Sequence, residues 1–337
     1  MAPGTRQCWA SRLTDFFICV IIKALVELWC NCEIQIFGDP VLAGESSILV
    51  MNHRTRTDWN FLWPAFYHCT KGSTRYRHSL KFVLKDMIRH IPGPGWVMQL
   101  SCFLYVKRSW MFDKSKLEKI LTYFCEMSYK FSLLVFPEGT DLTPETIEAS
   151  TKFAEKNNLQ KYSYVLHPRT TGFAFIAEEL LSRNNLDAVY DITLVYPDAI
   201  PQTEKVLLCG KIPKQVKFHF TRYPVSILPK TEPELRNFLE KRWSEKETTL
   251  REFHKTGHFL RGHRLKKSNV FEMYIALVFW TLLPYVTLYL FYVNFMFRTC
   301  VLTHTFFLLF VNYFYGGFQE FEVNVYKFKK KIFGVGF

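Results

Sequence analysis

Met51-Asn52-His53-Arg54-Thr55-Arg56-Thr57-Asp58-Trp59 is the stretch on which the reading of this chain turns. The apolar run Ser47-Ile48-Leu49-Val50-Met51 leads into it and reads as a short buried strand. An apolar helical pattern, Trp59 to His68, follows. The polar cluster therefore lies at the carboxyl end of a strand and opens a helix, where α/β folds carry their chemistry. His53 is the candidate general base, because an imidazole titrates near neutral pH without special help. Asp58 is the candidate orienter: a carboxylate on Nδ1–H fixes the tautomer and leaves Nε2 free to take a proton. On one straight helix the two side chains would diverge, since only i+3 and i+4 neighbours share a face. They meet only if the chain turns before the helix begins, with Thr57 or Asp58 as N-cap. The plain alternative is a surface loop in which Asp58 merely caps the helix.

A second strand, Ser132-Leu133-Leu134-Val135-Phe136, runs into Pro137-Glu138-Gly139-Thr140. Pro137 stops the strand, Gly139 permits close backbone approach, and free N–H groups with Thr140 suit an anion. Glu138 either faces the same pocket or braces the turn; the residues leave both open. Cys102 to Val106 reads as a strand ending in Lys107 and Arg108. The Arg108 fork suits a phosphate, with a solvated arginine as the alternative. His167-Pro168-Arg169-Thr170-Thr171-Gly172-Phe173 opens another helix, with Arg169 and two hydroxyls at its start.

Asn-His-x4-Asp followed by Phe-Pro-Glu-Gly-Thr resembles the glycerolipid acyltransferase family, which esterifies lysophospholipids with acyl-CoA. Asn52 to Trp59, Phe136 to Thr143 and His167 to Phe173 resemble its lysocardiolipin acyltransferase branch, and the likeness runs from about Leu13 to Phe318. The resemblance implies an α/β fold, a mixed sheet flanked by helices. It implies His53 and Asp58 as the catalytic pair, and Arg108, Glu138, Gly139, Thr140 and Arg169 as substrate contacts. Acyl-CoA would be a co-substrate, with no cofactor and no metal. The acceptor would be an anionic lysophospholipid: lysocardiolipin, lysophosphatidylinositol or lysophosphatidylglycerol. Within the same class, lysophosphatidic acid acylation and CoA-independent transacylation are the alternatives; outside it, a non-catalytic membrane scaffold. No Gly-x-Ser-x-Gly elbow, P-loop or dinucleotide fingerprint competes.

Composition agrees with a lipid setting. Aromatic residues make up 17% of the 337, Phe alone numbering 33, and the formal net charge is +13. With no nucleic-acid module legible, that charge points to an anionic membrane face and anionic substrates. Nine cysteines are scattered without zinc-site spacing. Trp9 to Cys30 is apolar but carries Arg12, Asp15, Lys23 and Glu27, which suits a helix lying in one leaflet better than one that spans. Tyr67 to Lys85, with Arg75, Arg77, Lys81 and Lys85, reads as a basic helix or loop, either a solvated face or a contact for headgroups. Glu232 to Lys255 is amphipathic, with Leu235, Phe238, Leu239, Trp243 and Leu250 on one face.

Val270 to Phe297 is long and apolar, Arg298-Thr299 reads as a very short turn, and Cys300 to Phe318 is apolar again. Lysines and arginines flank this hairpin on both outer sides, placing both ends in the cytosol. The expected organisation is a membrane-associated helix over 1–32, a catalytic domain over 33–260, two transmembrane helices over 268–318 and a basic tail over 319–337. The expected location is the endoplasmic reticulum membrane, multi-pass with the catalytic domain cytosolic, or a mitochondria-associated membrane.

Overall fold

A computed structural model describes residues 9–71, 79–267 and 271–333. The chain forms helix α1 (Trp9–Ala24), strands β1 (Glu33–Gly38), β2 (Val41–Leu42) and β3 (Ser47–Met51), and helix α2 (Asp58–Cys69). Strands β4 (Thr70–Lys71) and β5 (Leu80–Lys85), helix α3 (Pro94–Leu100), strand β6 (Leu104–Val106), helix α4 (Trp110–Glu126) and strand β7 (Ser132–Val135) come next. They are followed by helices α5 (Pro144–Lys156) and α6 (Thr170–Ser182), strand β8 (Ala188–Val195), helix α7 (Glu204–Leu208) and strand β9 (Gln215–Pro224). Helices α8 (Glu232–Thr256), α9 (Phe271–Val293), α10 (Phe295–Phe314) and α11 (Phe318–Phe333) close the chain. The result is the expected mixed α/β sheet flanked by helices.

The fold has two compact units. One holds residues 25–80 and 130–268, the other residues 1–24, 81–129 and 269–337. In the first, strands run in the order β1-β9-β8-β3-β7. Strand β3 pairs in parallel with β8 on one side and β7 on the other, while β8 and β9 are antiparallel. Every residue of β3 and β7 is buried, which is why both read as unbroken apolar runs rather than alternations. Strand β9 alternates instead, turning Val216, Phe218 and Phe220 inward. Because Val50 sits opposite Val135, the segments that leave β3 and β7 emerge side by side at the same sheet edge.

Helix α8 closes this unit. Pro233 stands in its first turn and Gly257 ends it in the left-handed conformation, φ 77°. Leu235, Leu239, Trp243, Leu250 and Phe253 form the buried face, and Arg242, Lys246 and Glu247 are buried with them. These charges lie on the face that sequence alone marks as purely apolar.

In the other unit β5 and β6 pair in parallel. The expected basic helix or loop from Tyr67 to Lys85 is therefore corrected: α2 continues to Cys69, and Leu80–Lys85 is a strand. Lys81 is fully buried rather than solvated, bonded to the Asp15 carboxylate of α1 and to the Ser101 carbonyl. Arg75 and Arg77 lie outside the described residues. Among the described residues one helix, Phe295–Phe314, is long and apolar enough to cross a membrane, and the apolar stretch Leu277–Val293 of α9 is shorter. The turn expected at Arg298-Thr299 is also corrected. The break falls at Asn294, whose side chain accepts the Phe297 N–H at 2.9 Å, and Arg298 and Thr299 lie within α10. Asn is a strong N-cap and Arg-Thr carries no turn chemistry, so the cap decides the boundary. Residues 318–333 form helix α11, anchored where Gln99 Oε1 accepts the Phe318 N–H (2.8 Å) and Gln319 Nε2 donates to the Phe103 carbonyl (2.8 Å).

Candidate active site

The segment leaving β3 does turn before its helix. Asp58 is the first residue of α2, and its carboxylate reaches backward over one turn to Thr55. Oδ2 accepts the Thr55 N–H (3.0 Å) and Oδ1 the Thr55 hydroxyl (2.7 Å). The Tyr196 hydroxyl donates to Oδ1 as well (2.7 Å), and His53 Nδ1 lies 3.1 Å from Oδ2. Asp58 is wholly buried, and two oxygens with about four lone-pair sites meet four donors. It does not cap α2 with its side chain; it folds the loop back so that residues 53 and 58 meet. Since the carboxylate offers only acceptors to the ring, Nδ1 carries the hydrogen and Nε2 of the neutral ring keeps its lone pair.

His53 is held from three more sides. Its ring stacks on Phe136, centroids 4.1 Å apart and planes at 23°. Its carbonyl accepts the Leu142 N–H at 2.9 Å, and its own N–H donates to Glu138 Oε1 at 3.2 Å. Before it, the Asn52 side chain pairs like a strand with Leu194, accepting its N–H (2.8 Å) and donating to its carbonyl (3.1 Å). The imidazole retains 17% side-chain exposure, so it is fixed yet reachable.

Glu138 is buried, and its second oxygen accepts the Leu166 N–H at 3.1 Å. Both oxygens thus join separate stretches of main chain. Burial pushes its carboxyl up to about 8, against the pull of those two N–H groups and of the Lys246 charge. Lys246 is itself buried and bonded to the Asp191 carboxylate and the Ile192 carbonyl. Glu247, next to it on α8, accepts the Ser163 and Tyr164 N–H groups at 3.0 and 2.8 Å. One chain of bonds therefore runs from α8 through residues 163–166 and Glu138 to His53.

Gly139 has φ 74°, a left-handed turn position, and the Arg169 side chain packs over it: an added Cβ would lie 3.4 Å from Arg169 Cδ and Nε. The Arg169 N–H donates to the Pro137 carbonyl at 2.7 Å. Thr140 is half-buried, its hydroxyl 3.4 Å from Asp141 Oδ1. The structure brings together His53, Asp58 and Glu138, and brings Arg169 to Gly139. Arg108 belongs to the other unit. It follows β6, is exposed, and adopts φ 63°. The N–H groups on either side of it, from Lys107 and Ser109, donate to the buried Asp113 carboxylate at 2.7 and 3.0 Å.

Sequence reasoning missed Tyr196, Thr55 and the roles of Asn52 and Phe136. A signal existed for Tyr196: a phenol immediately after a strand, followed by proline, in Val195-Tyr196-Pro197. Its pairing with a residue 138 positions away needed the β3–β8 register.

A strand-end histidine locked to a buried aspartate, with a Phe-Pro-Glu-Gly-Thr turn beside it, is the arrangement of an acyltransferase. Residues 33–197 match the acyltransferase family and residues 206–280 the family described as acyltransferase C-terminus. The chain is 40% identical over 334 residues to lysocardiolipin acyltransferase 1 of Gallus gallus, covering 96% of this chain and 87% of that protein. It is 46% identical over 253 residues to the Mus musculus protein of the same name, covering 74% and 66%. Against lysophosphatidylinositol acyltransferase 10 of Caenorhabditis elegans it is 32% identical over 289 residues, covering 81% and 73%. The chain belongs to the acyltransferase family and is an acyltransferase.

Proposed function

We propose that the chain transfers a fatty acyl group from acyl-CoA to the free hydroxyl of an anionic lysophospholipid, with lysocardiolipin and lysophosphatidylinositol as leading acceptors. The single observation that carries this reading is the His53–Asp58 pair, with every lone pair of Asp58 engaged. The names of the relatives supply the acceptor class. His53 Nε2 takes the acceptor's hydroxyl proton as the oxygen attacks the thioester carbonyl carbon. The C–S bond then breaks, the ester forms, and the CoA thiolate takes the proton back from the imidazolium. Asp58 holds the ring and offsets its transient charge. No acyl-enzyme is invoked, because the site offers no activated nucleophile besides the base. Gly139, Thr140 and Arg169 hold the acceptor's phosphate, and Glu138 keeps the turn in place.

In the membrane, we propose that α10 spans, that α9 joins it in a hairpin, and that α1 lies in one leaflet. The catalytic part and both hairpin ends then face the cytosol, at the endoplasmic reticulum or a mitochondria-associated membrane. A tag after Phe337 and one within α8 should both react from the cytosolic side of sealed membranes; protection of either would sink the hairpin.

The deciding assay offers purified full-length protein a panel of lysophospholipids with radiolabelled acyl-CoA. Incorporation into anionic acceptors and not into monoacylglycerol is expected. Equal use of the neutral acceptor, or incorporation from phospholipid with no CoA species present, would replace this reading.

A further inference from the structure

The loop that carries His53 also carries two arginines that the proposed chemistry does not use. Arg54 is half-buried, and its Nη1 donates to the Leu142 carbonyl (2.9 Å) and the Gln202 Oε1 (3.4 Å). Among the described residues no carboxylate lies at ion-pair distance from Arg54, and its Nε and Nη2 meet no acceptor. Leu142 is the residue whose N–H holds the His53 carbonyl, so the guanidinium is tied to the same short segment as the base. Burial pushes the Arg54 guanidinium below its ordinary range, against the nearby Asp58, Tyr196 and Asp141. A partly desolvated cation anchored only to neutral oxygens is costly unless an anion joins it.

Arg56, two residues on, has a side chain 66% exposed, and its Nε lies 3.8 Å from Asp141 Oδ1. That is an ion pair without a hydrogen bond. Asp141 is already engaged by Gln202 Nε2 at 2.9 Å. Gln202 thus stands between the two arginines, accepting from one and holding the carboxylate of the other. The local balance on the flank of His53 is two guanidinium forks against two buried carboxylates, Asp141 and Asp58, both already occupied by other donors.

We propose that Arg54 and Arg56 form a phosphate subsite separate from the Gly139–Thr140 turn, which takes a second phosphate carried by the substrates. This rests on the acyl-CoA and anionic-acceptor reading above. Two sources share that chemistry: the second phosphate of a two-phosphate acceptor headgroup, and the phosphates of CoA. Arginine supplies a planar fork that a phosphate fills bidentately, which a buried lysine point charge would not.

The test uses purified full-length protein and the variants R54Q, R54K and R56Q. Acceptors are lysocardiolipin, with two phosphates, and lysophosphatidylglycerol, with one. R54Q and R56Q should raise the lysocardiolipin KM about tenfold, and the lysophosphatidylglycerol KM by less than about threefold. R54K should fall between, since charge is kept and the fork is lost. A tenfold rise confined to the acyl-CoA KM would support the subsite and assign it to CoA. No selective KM change, or an equal fall in kcat with both acceptors, would overturn it and leave Arg54 as a brace of the loop.

If R54Q lowers the thermal midpoint of the protein, R56Q carries the test, because Arg56 is exposed. A second arm needs no turnover: inorganic pyrophosphate should raise the thermal midpoint of the unaltered protein and do so much less for R54Q and R56Q. Equal stabilisation of all three would overturn the subsite. If the unaltered protein acylates no lysophospholipid at all, the functional reading fails while the pyrophosphate arm still decides the subsite.

Discussion

The loop after β3 and the turn after β7 leave neighbouring parallel strands at the same edge, yet they are held in opposite ways. The 52–58 loop is closed on itself: Asp58 binds the N–H and hydroxyl of Thr55 and the ring of His53. The 137–140 turn is held from outside: Glu138 joins the main chain at His53 to that at Leu166, and Arg169 packs on Gly139. A carboxylate that closes its own loop fixes the ring it holds, which suits a proton-transfer pair. An externally tied turn keeps two loops in register, which suits a binding wall.

The largest effect should come from the self-closed loop. His53→Ala should cut kcat by about a hundredfold or more while expression and thermal midpoint change little. Asp58→Asn should lose activity to a similar degree. An amide offers one acceptor oxygen where four donors converge, so the ring loses both its orienter and its tautomer bias. Substantial turnover by purified His53→Ala would remove the base assignment.

The externally tied turn should respond in stability instead. Glu138→Ala leaves two buried N–H groups unpaired, each worth about 1–3 kcal/mol, so the thermal midpoint should drop first. The pH dependence has a definite sign. Native Glu138 holds its proton up to about 8, whereas the unfolded chain releases it near the ordinary 4.5. Between those values the native state binds more protons, so this group's contribution to stability falls as pH rises. Glu138→Gln removes the titration and should flatten that decline, though its NH2 faces one of the two N–H groups and lowers the midpoint at every pH. A midpoint-against-pH curve of the same slope in wild type and variant would mean that Glu138 is ionised in the fold and acts as an ordinary anionic brace.

The same contrast explains what could be read from the chain. Self-closing geometry is local, so Asn52 to Asp58 announced a strand end and a turn before the helix, since only such a turn lets His53 and Asp58 meet. Apolar runs such as Ser47–Met51 and Ser132–Val135 are readable because a strand buried on both faces needs no alternation. External ties are not local. Nothing within Phe-Pro-Glu-Gly-Thr says that Glu138 would face Leu166, or that Lys246 and Glu247 on α8 would be buried beneath it. The burial of Lys81, expected on a solvated or headgroup-facing segment, was illegible for the same reason: its partner Asp15 is 66 residues away. Helix boundaries followed caps rather than charge, as Asn294 displaced the turn expected at Arg298.

Tyr196 is where the two modes meet, and it should give the smallest of these effects. It is the one long-range donor to an otherwise self-closed Asp58, reaching Oδ1 at 2.7 Å from the end of β8. Tyr196→Phe removes that hydroxyl and little else, since the ring stays buried edge-on to Phe61, centroids 5.6 Å apart. A hydrogen bond to a charged group is worth about 1.5–3 kcal/mol, but Thr55 continues to hold Asp58 from two sides, so the loss should sit at the low end, about tenfold. It should appear in kcat, because Tyr196 acts through Asp58 on the imidazolium that forms only during proton transfer. Burial and the Asp58 charge push the phenol well above its ordinary value, so it remains a neutral donor throughout the working range. The variant should therefore lower the pH–rate curve without adding or removing an alkaline limb. A rise in acceptor KM at constant kcat would instead place Tyr196 against the substrate, and Asp58 would then hold its geometry through Thr55 and His53 alone.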